Sequence, residues 1–539
     1  MLNKKAVITT FATLSLLLLT VSVILNDIPC RDMASRYAPM AEAFAAGEWS
    51  YAFHPRIQPL QIVSGGIIAK LFGCDGFSAL KIAAGLWFFA GMYVVWKLFR
   101  EVYADDPSIA SGATAFYAIY PYNIRMAAEG LRESSKTFLL LLTAWALVKI
   151  YKNIKERTGY VLLGIGCSLA LICRADTIMT GIFLLFTGLV LECRENKFPK
   201  LSFIPLTITG IMAVLCSLLN YSVSGHAMAD YRFAVLFVKA SGHPATVTDA
   251  ILITIISGAM LTAAAILTGR LLRKIHAGIF VAAAGLFTVL LSFITGFNDT
   301  RNRFGEFAES LFGGMGNMVG LVCLAVIIYL IRNKKFTGSE FMLCLVVLAN
   351  AFFNIVPLQL FHKTLYVSDR YLYTALPLLA GFFVLGLDII YRYCCKKTEE
   401  KRAKSVLKIA CTVIAVAFIS AAMQPQLRNY TAKKDVAVRK GTIELADAIK
   451  KDYRGEQYRA NNQTLNKYYS CKAPFVLWDT EKKICVASYM AGGSSVYDVN
   501  DEPDYFVGDK LPEKLTGKAQ EITGINFGKY HKTLWRITR

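Results

Sequence analysis

Charged residues are scarce in this chain. Asp, Glu, Lys and Arg make up 18% of its 539 residues while 55% are hydrophobic, which excludes a water-soluble protein over most of the length. Acidic residues are the scarcer sign, 38 against 59 Lys and Arg, for a formal net charge of +21. In a soluble protein that excess would point to nucleic acid. Here much of it falls in short segments between apolar runs, a pattern of membrane orientation, and no nucleic-acid partner is expected. The thirteen cysteines form no CxxC or His-paired spacing, so no zinc or dithiol motif is indicated. Most lie in apolar runs, where a thiol acts as a small hydrophobe. Cys471 and Cys485 lie in the C-terminal tail, where an oxidising compartment would permit them to pair.

What the sequence has instead is apolar runs. Residues 7–25 are long enough to cross a bilayer and lack a small-residue cleavage pattern, so they are expected to stay as a helix. Further candidate spans are 77–96, 107–121, 137–150, 158–173, 177–192, 201–219, 248–269, 277–296, 315–331, 338–357, 372–391 and 405–423, about thirteen in all. Every second connection is rich in Lys and Arg, from Lys4 and Lys5 through "KIYKNIKER", "CRENKFPK" and "GRLLRKIH" to "YRYCCKKTEEKRAK". These fall on one side, which makes the N-terminus cytoplasmic and the tail extracytoplasmic. An integral membrane protein with a catalytic bundle at 1–423 and a soluble α/β domain at 424–539 is expected.

The outer connections carry charges of both signs. The first, 26–76, holds two short helical patterns: an amphipathic one in "RYAPMAEAFAAGEW", expected to lie at the membrane surface, and "IVSGGIIAKLFG", too short to span. The tail reads as a helix over "TIELADAIKKDY" and strands over "PFVLWDT", "KICVASYM", "DYFVGDK" and "KTLWRITR". It contains no phosphate-binding glycine loop, HExxH or GxSxG, and no catalysis is assigned to it.

Asp32 precedes the helical pattern that begins near Arg36. It suits an N-cap, and equally a general base: a carboxylate beside arginines stays ionised and can take a proton from an acceptor hydroxyl or amine. Asp27 is its rival for that role. Arg31, Arg36, Arg56, Arg125, Arg132, Arg174, Arg232, Arg301, Arg303 and Arg370 fall on the outer side, against the positive-inside bias. Singly they suit lipid head groups or partners such as Glu129, Glu133, Asp176 and Asp369. As a set they suit a lipid-linked phosphate, which guanidinium binds bidentately. Arg36, Arg56, Arg132, Arg174 and Arg370 are the candidate phosphate ligands. Glu133 opens the fourth span, where the helix dipole favours a carboxylate with or without a catalytic role. His54 and His362 are lone loop histidines, more often structural than ligands.

In order, these features resemble the GT-C glycosyltransferases of the protein O-mannosyltransferase superfamily, in the bacterial branch of lipid A aminoarabinose transferases. The family opens with a membrane helix and a motif of the form DEaRYa, matched by "RDMASRYAPMAEAFAAGEW" through Asp32, Arg36, Tyr37 and the Gly-acid-Trp ending. Its "kPPlyyW...lfG" segment is similar to "HPRIQPLQIVSGGIIAKLFG", its "lD.plaff" to "LRESSKTFLL", and its "RYllpllP" to "DRYLYTALPLLAG". The chain departs by one extra residue between Asp32 and the Arg-Tyr pair, by Met33 in place of Glu, by the single Pro55 and by Glu133 where Asp is commoner.

The resemblance implies a polytopic GT-C fold, interfacial helices in the first outer loop, and inverting transfer of a sugar from a polyprenyl-phosphate donor on the outer face of a bacterial inner membrane. The acceptor would be a glycolipid, a polysaccharide or a protein. Asp32, Glu133 and Asp27 are the catalytic candidates, and Tyr37, His54, Glu129, Asp176 and Tyr371 line the expected cavity. No cofactor is required, and a divalent metal is left open. Two other classes compete. A lipid flippase or transporter would place polar groups near the midplane of its spans, which read as mostly clean. A catalytically inactive lipid-binding assembly protein would keep the fold and lose turnover.

Overall fold

The computed structural model describes residues 4–54, 57–195, 198–228, 231–272, 315–361, 373–397, 400–453, 475–478, 484–496, 503–528 and 530–538. The expected span 277–296 and the residues Arg56, Arg301, Arg303, His362, Asp369, Arg370, Tyr371 and Cys471 lie outside the described residues.

Helices dominate. α1 (Lys4–Leu25) leads into the connection 26–75, where a π turn (Met33–Tyr37) runs into α2 (Ala38–Ala46), followed by α3 (Trp49–Ala52) and α4 (Leu60–Phe72). The bundle continues with α5 (Gly76–Val102), α6 (Pro107–Ile119), α7 (Pro121–Ala128), α8 (Glu133–Lys152), α9 (Arg157–Cys173), α10 (Ala175–Glu195), α11 (Phe203–Ser224), α12 (Tyr231–Ser241) and α13 (Val247–Leu272). After these come α14 (Met315–Arg332), α15 (Gly338–Phe361), a 3₁₀ turn (Tyr373–Leu379), α16 (Ala380–Lys397) and α17 (Glu400–Thr431). Six described helices are long and apolar enough to cross a membrane by length and composition, among them α5, α11 and α13; shorter apolar stretches include Thr9–Leu25 and Arg157–Cys173.

Local signals set several ends. The Asp75 carboxylate accepts from Ser78 N at 3.0 Å and starts α5, while Asp106 with Pro107 starts α6 in the same way. α2 and α4 stop at Gly47 and Gly73, both left-handed. The expected span at 372–391 opens instead as the 3₁₀ turn around Pro377, which cannot donate to a regular helix. The expected boundary at 423/424 falls inside α17, which continues to Thr431.

The tail carries α18 (Lys433–Asp452), β1 (Phe475–Trp478), α19 (Ile484–Met490), β2 (Ser494–Val496), β3 (Tyr505–Gly508), β4 (Ala519–Phe527) and β5 (Tyr530–Ile537). The sheet order is β2-β1-β3-β5-β4, parallel from β2 to β3 and antiparallel at β5. "KICVASYM" is therefore α19 and not a strand; a short apolar run has no periodicity to separate the two, and here Val486 and Ala487 pack on Leu445 and Ile449 of α18.

One residue of the connection between α1 and α5 belongs to this tail core. Ala34, in the π turn, packs with Leu445, Ile449 and Val486, while Met33 and Tyr37 beside it pack with Ile62, Leu80 and Met126 of the bundle. The helix carrying Asp32 is thus covered on both sides, more fully than an amphipathic helix lying on a membrane.

Candidate functional site

The helical backbone begins at Arg31, ahead of the sequence expectation. Asp32 is itself helical (φ −63°, ψ −33°) and makes no side-chain capping bond, so the N-cap reading is corrected. Between Asp32 and α2 the chain makes one wide turn, in which Ala38 N–H bonds Met33 O five residues back. Such turns arise where a helix accommodates one additional residue. The extra residue between the acid and the Arg-Tyr pair has a structural counterpart here.

Close approaches hold this helix in place. A Cβ on Gly76 would lie 2.2 Å from Ala38 O, and the left-handed Gly130 (φ +72°) leaves only 2.9 Å between such a Cβ and Met33 Cε. Glu42 Oε1 accepts from Gly76 N at 2.7 Å and from the Tyr489 hydroxyl of the tail at 2.9 Å.

Tyr37 is buried, and the Arg132 guanidinium lies over its ring at 5.4 Å. Burial pushes the Tyr37 hydroxyl above the usual tyrosine range; Arg132 and Arg174 oppose the shift, and Asp32 and Glu133 add to it. Asp32, Arg132, Glu133 and Arg174 are thus all within electrostatic reach of one hydroxyl, with Arg132 over the face of its ring. Arg36 contributes a buried Nε with no hydrogen-bond acceptor among the described residues.

Glu133 and Arg174 belong to a buried charge network. Arg174 occupies the extended corner between α9 and α10; its Nη1 donates to Glu133 Oε1 at 2.9 Å and its Nε reaches Asp176 Oδ1 at 2.6 Å. Lys136, one helical turn after Glu133, donates to Asp176 Oδ2 at 2.6 Å and to Asn354 Oδ1 at 3.5 Å. Glu133 and Lys136 are 2% and 0% exposed. Two cations and two anions inside an apolar bundle are tolerable only when each holds the other. Glu133 is thus engaged by Arg174 through Oε1, a geometry that holds the guanidinium.

Other sequence candidates lie apart from this network. Asp27 is clamped by Arg439 of α18, whose Nε donates to Oδ1 at 3.2 Å and whose Nη2 bonds Oδ2. Glu129 pairs with Arg125 at 2.8 Å on the half-open surface of α7. His54 forms a backbone bridge with Ile57 in the loop ahead of α4. Among the described residues no three His, Cys, Asp or Glu side chains converge on a metal-sized site.

The sequence reading missed Lys136 and the buried pair Asn350 and Asn354, linked by Asn354 Nδ2 to Asn350 Oδ1 at 3.1 Å. The signal was present: two Asn four apart in an apolar run share one helix face.

Residues 64–221 match the family described as dolichyl-phosphate-mannose-protein mannosyltransferase. The match includes Arg132, Glu133, Lys136, Arg174 and Asp176 and begins after the Asp32 helix. No curated protein sequence matches the chain. Among solved structures, ArnT from Cupriavidus metallidurans in the apo state is similar over 98% of this chain and 97% of its own, with a TM-score of 0.54 and 11% identity. An oligosaccharyltransferase from Archaeoglobus fulgidus, in complex with Zn and sulfate, is similar over 92% of this chain and 67% of its own, with a TM-score of 0.53 and 13% identity. AglB, an archaeal oligosaccharyltransferase also from Archaeoglobus fulgidus, in complex with an inhibitory peptide and a dolichol-phosphate, is similar over 92% of this chain and 69% of its own, with a TM-score of 0.51 and 11% identity. The GT-C fold implied by the sequence motifs is the fold of this chain, and residues 64–221 within it are similar to the mannosyltransferase family.

Proposed function

We propose that the protein is a membrane glycosyltransferase that moves a sugar from a polyprenyl-phosphate donor to an acceptor at the extracytoplasmic face of a bacterial inner membrane. The class rests on the family match over 64–221 and on the fold. The observation that carries the mechanism is the Arg132 guanidinium over the buried Tyr37 ring, with Asp32, Glu133 and Arg174 within electrostatic reach of its hydroxyl.

In this reading Asp32 accepts the proton of an acceptor hydroxyl or amine. The freed lone pair attacks the anomeric carbon from the side opposite the phosphate, the bond from that carbon to the phosphate oxygen breaks, and configuration inverts. The polyprenyl phosphate leaves with its negative charge, which needs fixed positive charge where it develops. Arg36 and Arg132 supply it, Arg36 with a buried Nε not otherwise engaged among the described residues. Arg174 is held by Glu133 and Asp176 and acts as a positioning residue behind Arg132. Arg56 and Arg370, proposed phosphate ligands, and Tyr371, a proposed cavity residue, lie outside the described residues. The acceptor is a glycolipid, a polysaccharide or a protein.

The transport reading expects charge at the bilayer midplane. Lys136 is the fourth residue of the 20-residue α8, in its first turn, and does not favour that reading.

The test is release of free polyprenyl phosphate from a panel of polyprenyl-phosphate sugars by purified wild-type protein and Asp32→Asn. Release by wild type alone supports the proposal. Equal release by both removes Asp32 as the base, and binding without release by either favours an inactive lipid-binding protein.

A further inference from the structure

A second polar site lies where the end of α1, the start of α5 and the tail helix α19 meet, and it shares Phe77 and Tyr489 with the packing around Tyr37. They enclose a cavity of about 540 Å³, within the range of small-molecule pockets. Ile24 and Ile82 line it and are 67% and 43% exposed on helices that read as membrane segments, so its mouth faces lipid. Tyr489 and Met490 close it from the tail side.

Lys81 forms the floor and is 7% exposed. Its Nζ donates to Val23 O at 3.2 Å and to Asn26 O, and lies 3.9 Å from the centre of the Phe77 ring. Those bonds cap the last carbonyls of α1, which explains a cation there but not the cavity beside it. An ammonium has three N–H donors; the third has no oxygen acceptor among the described residues. Its charge is met by carboxylates only at longer range, by Asp75 and Asp27. Asp27 is already neutralised by Arg439. The cavity therefore presents one cation with no carboxylate bonded to it, Lys81, and one carboxylate, Asp75, whose Oδ1 accepts only a backbone N–H of α5.

We propose that this cavity binds the headgroup of a phospholipid that carries both a phosphate and a primary amine, that is, an ethanolamine phospholipid. Asp75 stands before the first residue of α5 and Lys81 lies in its second turn, so the carboxylate sits farther from the bilayer than the root of the lysine. The lipid has the same order, with phosphate next to the glycerol and amine beyond it. Its phosphate takes the remaining Lys81 N–H and its ammonium donates to Asp75. A glycerol headgroup brings no cation to Asp75, and a choline headgroup brings a cation without an N–H to donate. The bound lipid would bridge the bundle and the tail through Tyr489. None of this depends on the transfer reaction proposed above.

The test uses the full chain in detergent, equilibrated with equal amounts of dioleoyl phosphatidylethanolamine, phosphatidylcholine and phosphatidylglycerol, with retained lipid counted by native mass spectrometry. We expect one ethanolamine lipid to be retained with a preference of about tenfold, equivalent to one charge-assisted hydrogen bond of about 1.4 kcal/mol. Asp75→Asn keeps the helix cap, since Asn caps as well as Asp, and is expected to abolish the preference over phosphatidylcholine. Lys81→Met is expected to lower retention of all three. Equal retention of the three lipids by wild type, a preference for phosphatidylglycerol, or a preference unchanged in Asp75→Asn would each overturn the proposal. If Lys81→Met does not fold, Asp75→Asn decides.

Discussion

Glu133 and Arg174 stand 41 residues apart in sequence and bond at 2.9 Å where almost no solvent reaches. The corner between α9 and α10 delivers the guanidinium to the first turn of α8. Removing one partner of a buried pair leaves a charge behind, at a cost of about 3–5 kcal/mol. Arg174→Met is therefore expected to destabilise the purified protein by about that amount in denaturant unfolding. The double variant Glu133→Gln/Arg174→Met should lose less than the sum of its singles, by roughly 0.5–3 kcal/mol. Additive losses would deny the coupling.

Asp32 and Asp27 make opposite predictions. Loss of a general base lowers turnover by about 10²–10⁴-fold, which is the expectation for Asp32→Asn with donor affinity little changed. Asp27 and Arg439 are 37% and 27% exposed, and an ion pair so open to water contributes about 1 kcal/mol or less. Asp27→Asn should leave turnover close to wild type. A large loss in Asp27→Asn, measured as polyprenyl phosphate release, would reverse the two assignments.

Much of the fold was legible in the sequence. Apolar runs gave α1, α5, α11 and α13 within a few residues, because burial in lipid demands length and little else. The strands at Phe475–Trp478 and Tyr505–Gly508 were legible from their turn signals. The site was legible only in part. Asp32, Tyr37, Glu133 and Arg174 stood out as charged or motif residues, but the contact from Lys136 to Asn354 joins positions 218 apart, and no local pattern encodes it. The wide turn at 33–37 was hidden for another reason: hydrophobic periodicity hardly registers one hydrogen bond displaced by a residue, though the altered motif spacing hinted at it.

That turn can be tested by deletion. Removing Ser35 should convert it to an ordinary helical turn and keep the register on either side, at a cost of about 1–2 kcal/mol, partly from the lost 2.7 Å bond of Ser35 Oγ to Arg31 O. Removing Ala41, in the regular part of the helix, would rotate the buried residues that follow it and should prevent folding. Equal damage from both deletions, scored by yield of folded protein in detergent, would show that the wide turn does not absorb the extra residue.

Tyr37 gives a prediction at alkaline pH. Its folded pKa is raised above the ordinary 10.0, chiefly by burial. Above about pH 10 the unfolded chain releases this proton before the folded one does, so the folded state binds more protons and stability falls as pH rises. The contribution is fully present below pH 10. Tyr37→Phe should flatten the decline in melting temperature between pH 9.5 and 11 relative to wild type. Parallel curves would place the hydroxyl in water.

Ala34 belongs to the core of the tail, and Met33 beside it belongs to the core of the bundle. The two halves of the protein are thus not interchangeable parts joined by a string. A tail transplanted from a relative would have to bring its own version of residues 31–37, so a working chimera is expected to exchange this short segment and the last hundred residues as a pair, although nearly the whole chain separates them.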